Sequence, residues 1–404
     1  MVFSVYIEKN VYGGDGLGRL GDGRVVFVPG AFAGERVKAK IIQEKKNFVK
    51  ASLVEIEEAS AERIGEGPCA IPGMVYSNLS VKGELCAKGA QLAEFFERAR
   101  IAVPEGVFFE RPLEECTEEN AFYYRNKVVY HFSPASGART LGYRKEPEHD
   151  IVDILEDPLA CKEINAKLPE IRESVFRLLS TGPKAIRKSV EKKANVTIRW
   201  SSLSGVVWWL GDAPQAVTLK EVTCGKVFEV PSDGFYQVNP RVGEELVKAV
   251  LAKFKSAPTA EVLDLYCGVG VFGLCMPCSR LVGLESGHKA IEFAKRNAAR
   301  QGFKDARFFA GDAARNLVRT RITEETTVVV DPPRGGMERS VALHLARSAA
   351  PRIFCVSCDP ATLMRDLSVL TRGYEVEDVK WFNMFPRTAR FETLVVLKKR
   401  NNAR

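Results

Sequence analysis

Hydrophobic residues recur at different spacings along the chain, and the change of spacing divides it. Residues 1–58 carry short alternating apolar runs separated by glycine turns, which predicts a small β-barrel of the OB type. Residues 59–232 mix alternating strands with helical segments, and a helix over residues 84–100 is a candidate to pack on the following domain. From residue 233 to 404 strands alternate with helices, which predicts an α/β fold with a doubly wound, mostly parallel sheet.

The C-terminal pattern is regular enough to place its elements. A sheet of this class binds its ligand beyond the carboxyl ends of the strands. The predicted elements are helix 242–254, strand 262–266, helix 271–276, strand 281–284, helix 289–302, strands 306–309, 327–330 and 352–356, and a last strand near 392–397.

The strand at residues 262–266 ends in three glycines, Gly268, Gly270 and Gly273. A strand that breaks into glycines and re-forms as a helix is typical of the first turn of a nucleotide-binding unit. Glu285 ends the next apolar run, where such folds place the acid that binds ribose hydroxyls. The spacing leaves two cofactors open, a nicotinamide dinucleotide and S-adenosylmethionine.

Composition sets the class of protein. The chain has 404 residues, 46% hydrophobic and 27% charged, as expected for a globular protein of two or three domains. No apolar run approaches the roughly 18 residues of a membrane helix, and the N-terminus carries charge too early for a signal peptide. We therefore expect no membrane association and a cytoplasmic location, with the ten cysteines as thiols.

Basic residues are concentrated in residues 36–50, 121–145 and 184–199, so the formal charge of +8 is clustered along the chain. Residues 36–50 hold six basic residues and one acidic residue, and residues 121–145 hold five basic residues, no acidic residue and several aromatics. Basic and aromatic residues together are typical of surfaces that bind unpaired RNA. The alternatives are a solvated strand face for the first region and core packing for part of the aromatics in the second.

Three further strand ends carry chemically active side chains: Asp331 before two prolines, Cys358 after an apolar run, and Glu392 at the start of the last strand. The prolines impose an extended exit that fixes Asp331 at the sheet edge. A cysteine is a nucleophile only as a thiolate, so Cys358 requires an exposed, electropositive setting; otherwise it is a buried structural thiol. The candidate sources of positive charge are Arg334, Arg365 and Arg390.

The ordered motifs resemble those of the RNA uracil-5-methyltransferase family, and the resemblance spans essentially the whole chain. Its N-terminal part, residues 14–37, is similar to the TRAM domain, an RNA-binding barrel. The motifs that carry the resemblance are Phe235-Tyr-Gln-Val-Asn239, Asp264-Leu-Tyr-Cys-Gly268, Asp331-Pro-Pro-Arg-Gly335, Ser357-Cys-Asp-Pro360 and Phe391-Glu-Thr393.

The resemblance implies a Rossmann-like, S-adenosylmethionine-dependent enzyme, with a β-rich central domain that binds RNA. Cys358 would be the nucleophile and Glu392 the general base. Addition of the Cys358 thiolate to C6 of uracil makes C5 nucleophilic, and a base must then remove the C5 proton after methylation. The residues implied to surround the cofactor are Gln237, Tyr266, Gly268, Gly270, Val271, Glu285, Asp312 and Asp331.

The implied product is 5-methyluridine in structured RNA, and the TRAM-like barrel favours 23S ribosomal RNA over transfer RNA as the target of a monomeric enzyme. Two readings from other classes stay open, an NAD-dependent oxidoreductase and a non-catalytic RNA-binding module. The second is weakened because Cys358 and Glu392 both lie in matching contexts.

Two departures from the family pattern stand out. Members with the TRAM barrel often carry four cysteines for an iron–sulfur cluster, whereas here Cys69 stands alone, Asp157 occupies the fourth position and Cys161 is displaced from it. We therefore expect no iron–sulfur cluster, because so few thiolates cannot hold one, and no other metal. The second departure is Val271, where the family usually has a polar residue that touches the cofactor.

Overall fold

The first five strands close into a barrel. The computed structural model describes residues 2–66, 71–107, 109, 111–133, 139–145, 150–181 and 194–400. The strand order around the barrel is β1-β2-β3-β5-β4, and its interior is filled by small and branched side chains such as Ile7, Val26 and Val49. The predicted OB-like barrel is thereby confirmed. Its strands are β1 (Val2–Asn10), β2 (Gly16–Arg19), β3 (Val25–Val28), β4 (Arg36–Glu44) and β5 (Phe48–Glu58).

The basic residues of β4 are partly neutralised by the neighbouring strand. Lys38 Nζ lies 2.9 Å from Glu55 Oε2, and Arg36 Nε lies 3.7 Å from Glu58 Oε1. Cross-strand pairs of this kind belong to an ordinary solvated face. The basic surface predicted for residues 36–50 is therefore reduced, and its remaining candidates for phosphate contacts are Lys40, Lys45, Lys46 and Lys50.

The central region contains a long helix, α1 (Val81–Ala99), and a five-stranded antiparallel sheet of order β10-β9-β6-β7-β8. A second helix, α2 (Lys162–Thr181), buries Ile164, Leu168 and Ile171 against this sheet. The remaining strands of the region are β6 (Lys127–Phe132), β7 (Leu141–Arg144), β8 (Ile151–Asp153), β9 (Asn195–Ser201), β10 (Gly205–Leu210) and the hairpin β11 (Thr218–Thr223) and β12 (Lys226–Pro231).

The C-terminal sheet has seven strands in the order β15-β14-β13-β16-β17-β19-β18, with β19 antiparallel to both of its neighbours. Its strands are β13 (Glu261–Leu265), β14 (Arg280–Glu285), β15 (Ala306–Ala310), β16 (Thr326–Val330), β17 (Arg352–Ser357), β18 (Tyr374–Phe382) and β19 (Glu392–Lys399). Its helices are α3 (Pro240–Ser256), α4 (Val271–Cys275), α5 (His288–Arg300), α6 (Ala313–Val318), α7 (Arg339–Arg347) and α8 (Pro360–Leu370).

The doubly wound α/β fold is confirmed, and the predicted C-terminal elements occur within two or three residues of their expected bounds. Helices α6, α7 and α8 and strand β18 were not predicted. The charged residues within β18, Glu375, Glu377 and Asp378, interrupt its apolar pattern because it is the edge strand of the sheet.

Helix α1 joins the barrel to the C-terminal sheet. Its Leu92 and Phe96 lie in the same hydrophobic cluster as Leu263 of β13. On another side, the Gln91 amide donates hydrogen bonds to the carbonyl oxygens of Asn10 (3.1 Å) and Val11 (3.2 Å) in the barrel. Among the residues described, no helix is long and apolar enough to cross a membrane.

Candidate active site

The glycine turn after β13 shapes one wall of a cleft. Tyr266, the first residue past the strand, has a φ of 61°, which is rare for a residue with a side chain. Gly270 begins α4 with a φ of 90°. A Cβ added at Gly273 would lie 2.5 Å from Leu281 Cδ1, so α4 packs against β14 too closely for any larger residue. The turn therefore depends on these glycines.

A cleft opens beside this turn. It lies between the turn, the segment before α3, and the carboxyl end of β16. Its described lining includes five of the eight predicted cofactor residues: Gln237, Tyr266, Gly268, Val271 and Asp331.

The other three predicted cofactor residues lie around the cleft. Gly270 lies in the glycine turn, between lining residues Val269 and Val271. Glu285 accepts hydrogen bonds from the Gly268 N–H (3.2 Å) and the Gly287 N–H (2.8 Å), so its carboxylate is held against the turn. Asp312 caps α6 by accepting from the Arg315 N–H (2.8 Å) and is not among the described residues that line the cleft.

Polar groups near the cleft lack partners. Among the described residues, Asp264 Oδ1 and the Tyr266 hydroxyl are buried without a hydrogen bond. Burial, and then the charges of Asp331 and Glu285, raise the pKa of Asp264 to about 7 although its other oxygen accepts from the Gly273 N–H. Mutually repelling carboxyl groups of this kind favour a cationic ligand.

Cys358 and Glu392 meet at the same edge of the sheet. Ser357 of β17 pairs with Thr393 of antiparallel β19, so continuing the register by one residue brings Cys358 beside Glu392. Asp331 follows the neighbouring strand β16 at the same edge. Burial, followed by the charge of Asp331, raises the pKa of Glu392 well above its usual range, while Arg334 opposes the shift. Burial also raises the pKa of Asp331 to about 7.

The setting of Cys358 differs from the expected electropositive pocket. Burial, and then the charges of Glu392 and Asp331, raise the pKa of its half-buried thiol to about 11, and Arg334 and Arg390 only partly offset this. The third predicted arginine, Arg365, forms an ion pair with Asp366 (2.8 Å). Two of the three predicted arginines therefore contribute positive charge at Cys358, and burial is the largest effect that opposes them. Burial and the two carboxyl groups thus favour the neutral form of the thiol.

Comparison with known proteins identifies the family. The model described as tRNA (uracil-5-)-methyltransferase matches residues 218–400, and the TRAM domain model matches residues 2–54. An uncharacterized RNA methyltransferase of Clostridium acetobutylicum is 30% identical over 451 aligned residues, covering 98% of this chain and 97% of its own length. The chain belongs to the RNA uracil-5-methyltransferase family.

Other similarities to this methyltransferase also extend over its full length. An uncharacterized RNA methyltransferase of Thermotoga maritima is 28% identical over 450 aligned residues, covering 99% of both chains. The crystal structure of Pyrococcus abyssi tRNA (uracil-54, C5)-methyltransferase in complex with S-adenosyl-L-homocysteine superposes with a TM-score of 0.71 at 21% identity, covering 97% of this chain and 100% of that one. The predicted family and the TRAM domain are confirmed.

Sequence reasoning did not single out two residues at the catalytic edge. Asp264 begins one of the motifs that carry the family resemblance but was given no role, and its isolated charge within an apolar run is the signal that could have marked it. Tyr12 belongs to the barrel, yet its hydroxyl donates to Asp359 Oδ2 (3.3 Å), next to Cys358. No local pattern signals a contact between residues so far apart in the chain.

Metal binding is the remaining expectation. Among the described residues, no group of three or more His, Cys, Asp or Glu could hold a metal ion. Asp157 instead accepts hydrogen bonds from the Tyr130 (2.8 Å) and Tyr143 (2.6 Å) hydroxyls. Cys69 lies outside the described residues, so the absence of an iron–sulfur cluster stays a prediction.

Proposed function

We propose that this enzyme transfers a methyl group from S-adenosylmethionine to C5 of a uridine in structured RNA, through a covalent bond between Cys358 and C6 of uracil. The observation that carries the proposal is the meeting of Cys358 and Glu392 at one sheet edge, next to Asp331 of the cleft. A thiol and a carboxyl group on one base are what addition at C6 and proton removal at C5 require.

The residues of the cleft fit S-adenosylmethionine better than a nicotinamide dinucleotide. Asp331 is the acidic residue among the described lining of the cleft and Glu285 is held against its glycine turn, which suits a sulfonium and an ammonium group and opposes a diphosphate. Gln237, Tyr266, Gly268, Gly270, Val271 and Asp312 would complete the site, and Glu285 would accept from the ribose hydroxyls. When bound, the cofactor supplies an electrophilic methyl group.

The chain's own residues divide the chemistry between them. Cys358 must lose its proton before it attacks C6, and its raised pKa means that deprotonation has to accompany binding of the substrates. The raised pKa of Glu392 makes its carboxylate a stronger base, so in the ionised form it is suited to receive the C5 proton after methylation. Loss of that proton allows the Cys358 thiolate to leave.

The RNA would meet both the barrel and the central sheet. Lys40, Lys45 and Lys46 of the barrel and exposed aromatics such as Tyr123 and Phe235 offer charge and stacking surfaces. We propose 23S ribosomal RNA as the target, in keeping with the TRAM domain. Transfer RNA is the second candidate because the fold matches the Pyrococcus abyssi transfer RNA enzyme over its full length.

We further propose a monomeric, cytoplasmic enzyme, consistent with the free thiols of the nine described cysteines.

Trapping the covalent intermediate tests the proposal. Glu392→Gln should still form the bond to RNA and accept the methyl group, but it should stall before elimination because an amide is a very poor base. The expected result is a methylated protein–RNA adduct that survives denaturing electrophoresis, with little adduct from the wild type. Cys358→Ala should give neither adduct nor methylation, while the control Cys86→Ala, at an exposed thiol of α1, should behave as the wild type.

Methylation by Cys358→Ala, or normal turnover by Glu392→Gln, would show that the covalent mechanism is wrong. The fully buried Cys355 would then be the next thiol to substitute. The target is settled separately, by mapping 5-methyluridine in ribosomal and transfer RNA from cells with and without the gene. A change confined to transfer RNA would replace the ribosomal target and leave the chemistry intact.

A further inference from the structure

Tyr12 reaches from the barrel to the catalytic edge. It lies in the loop between β1 and β2, and its hydroxyl donates to Asp359 Oδ2 (3.3 Å) and accepts from Arg390 Nη1 (2.9 Å). Arg390 Nη1 also donates to Asp359 Oδ2 (3.1 Å). The three side chains therefore form a closed triangle of hydrogen bonds between two domains.

Each partner of Tyr12 adjoins a proposed catalytic residue. Asp359 follows Cys358 directly, and its Oδ1 caps α8 by accepting from the Ala361 N–H (3.1 Å) and the Thr362 N–H (3.2 Å). Arg390 lies two residues before Glu392, and its charge lowers the pKa of the Cys358 thiol against the effect of burial. The triangle thus ties together the two segments that carry Cys358 and Glu392.

The ring of Tyr12 is also fixed in place. It makes edge-to-face contacts with Phe95 of α1 (5.7 Å between ring centroids) and with the fully buried Phe391 (6.0 Å), the residue between Arg390 and Glu392. Such contacts hold a ring in one orientation. Burial, and then the charge of Asp359, raise the pKa of Tyr12, so its hydroxyl stays protonated at physiological pH and remains a donor.

We propose that Tyr12 is a positioning residue for methyl transfer, which acts through Asp359 and Arg390 to fix Cys358 relative to Glu392. The inference rests on the function proposed above. It gives the barrel a second role, because the domain proposed to bind RNA also supplies a side chain that positions the segments carrying Cys358 and Glu392. Positioning of this kind matters to rate, since a displacement of about 1 Å can cost about a hundredfold.

The test separates rate from binding. Tyr12→Phe keeps the ring and removes only the hydroxyl, so it should lower the single-turnover rate of methyl transfer about tenfold and leave the Kd for RNA within about twofold. Tyr6→Phe is the matched control, since Tyr6 lies on β1 of the same barrel with 49% of its surface exposed. It should keep both values. The thermal unfolding midpoint of each variant establishes that it is folded.

A double-mutant cycle identifies the route of the effect. Arg390→Lys should show the same split between rate and affinity, and Tyr12→Phe should cost little more in the Arg390→Lys background, because both changes break one network. Additive effects, a parallel loss of RNA affinity, or a Tyr12→Phe rate within twofold of the wild type would overturn the inference.

Failure of the inference is distinguishable from failure of the proposed function. Methylation by Cys358→Ala would refute the covalent mechanism whatever Tyr12→Phe does. An inactive Cys358→Ala together with an unaffected Tyr12→Phe would refute only the role of Tyr12.

Discussion

Asp264 is a buried acidic residue near the cleft, and its ionised form is unfavourable. It is almost fully buried at the end of β13, where one oxygen accepts from the Gly273 N–H and the other has no partner among the described residues. A buried carboxylate in this position opposes folding once it ionises. A cationic ligand would offset part of this unfavourable free energy, because it would interact favourably with the ionised carboxylate when it binds.

The charge of Asp264 predicts a pH dependence of stability. Its pKa is about 7 in the folded chain and about 3.9 when unfolded, so between these values the folded chain holds a proton that the unfolded chain has lost. Its contribution therefore falls as pH rises through this window. Asp264→Asn should gain stability relative to the wild type by on the order of 2–4 kcal/mol between pH 4.5 and 8.

Urea unfolding at several pH values measures this difference, with Asp305→Asn at a half-exposed position as the control for loss of a carboxylate. A constant difference between Asp264→Asn and the wild type across the range would show that Asp264 ionises normally in the folded protein.

At the scale of elements, the sequence pattern predicted those features that depend on residues near one another in the chain. Strands β13 and β16 are mainly apolar runs followed within a few residues by glycine or proline, so their ends could be placed closely. That Asp331 and Cys358 lie at one edge of the sheet was also predictable, because carboxyl ends of parallel strands meet at one edge, and Glu392 reaches the same edge from the start of antiparallel β19. What could not be predicted depends on distant contacts: the left-handed Tyr266, the hydrogen bond from Tyr12, and the burial and carboxyl groups that raise the pKa of Cys358.

Because α4 packs closely on β14, adding a single methyl group at Gly273 should affect both stability and cofactor binding. Gly273→Ala would place a Cβ 2.5 Å from Leu281 Cδ1 and 3.0 Å from Asp264 Oδ2. Shifting α4 to relieve this should cost about 1–3 kcal/mol of stability and weaken S-adenosylhomocysteine, because α4 and the turn before it border the cleft.

Isothermal calorimetry and urea unfolding test both effects. Gly21→Ala is the matched control, because no atom lies within 4 Å of its added Cβ. Unchanged affinity in Gly273→Ala would separate α4 from the cofactor site, and tight binding of NAD in place of S-adenosylhomocysteine would reverse the choice of cofactor.

At the scale of the whole molecule, a buried ionic cluster fastens the N-terminal half to the loop that leads into β19. Glu84 and Lys88 of α1 and Arg387 of that loop are fully buried. Lys88 Nζ donates to Glu84 Oε1 (2.7 Å) and Asn383 Oδ1 (2.6 Å), and the Arg387 N–H donates to both oxygens of Glu84 (3.0 Å each). Because Glu392 begins β19, these contacts also fix the approach to the catalytic edge.

Removing the Lys88 ammonium group from this cluster should destabilise the whole chain. Burial lowers the pKa of Lys88 and the Glu84 carboxylate opposes that shift, so we expect the ammonium form to be retained by the pair. Lys88→Met should lower the free energy of unfolding by about 3–5 kcal/mol, because it leaves the Glu84 carboxylate buried with less compensation. Lys248→Met, which breaks surface contacts to Glu244 and Glu245, should leave the unfolding midpoint unchanged.

A second substitution distinguishes lost charge balance from lost packing. In the double variant Glu84→Gln with Lys88→Met no carboxylate is left without its cation, so part of the lost stability should return. Urea unfolding at pH 7.5 gives all four values. The opposite outcome is a double variant that is less stable than Lys88→Met by the full cost of the Glu84 hydrogen bonds. It would show that packing and hydrogen bonding hold the two halves together and that the charges contribute little.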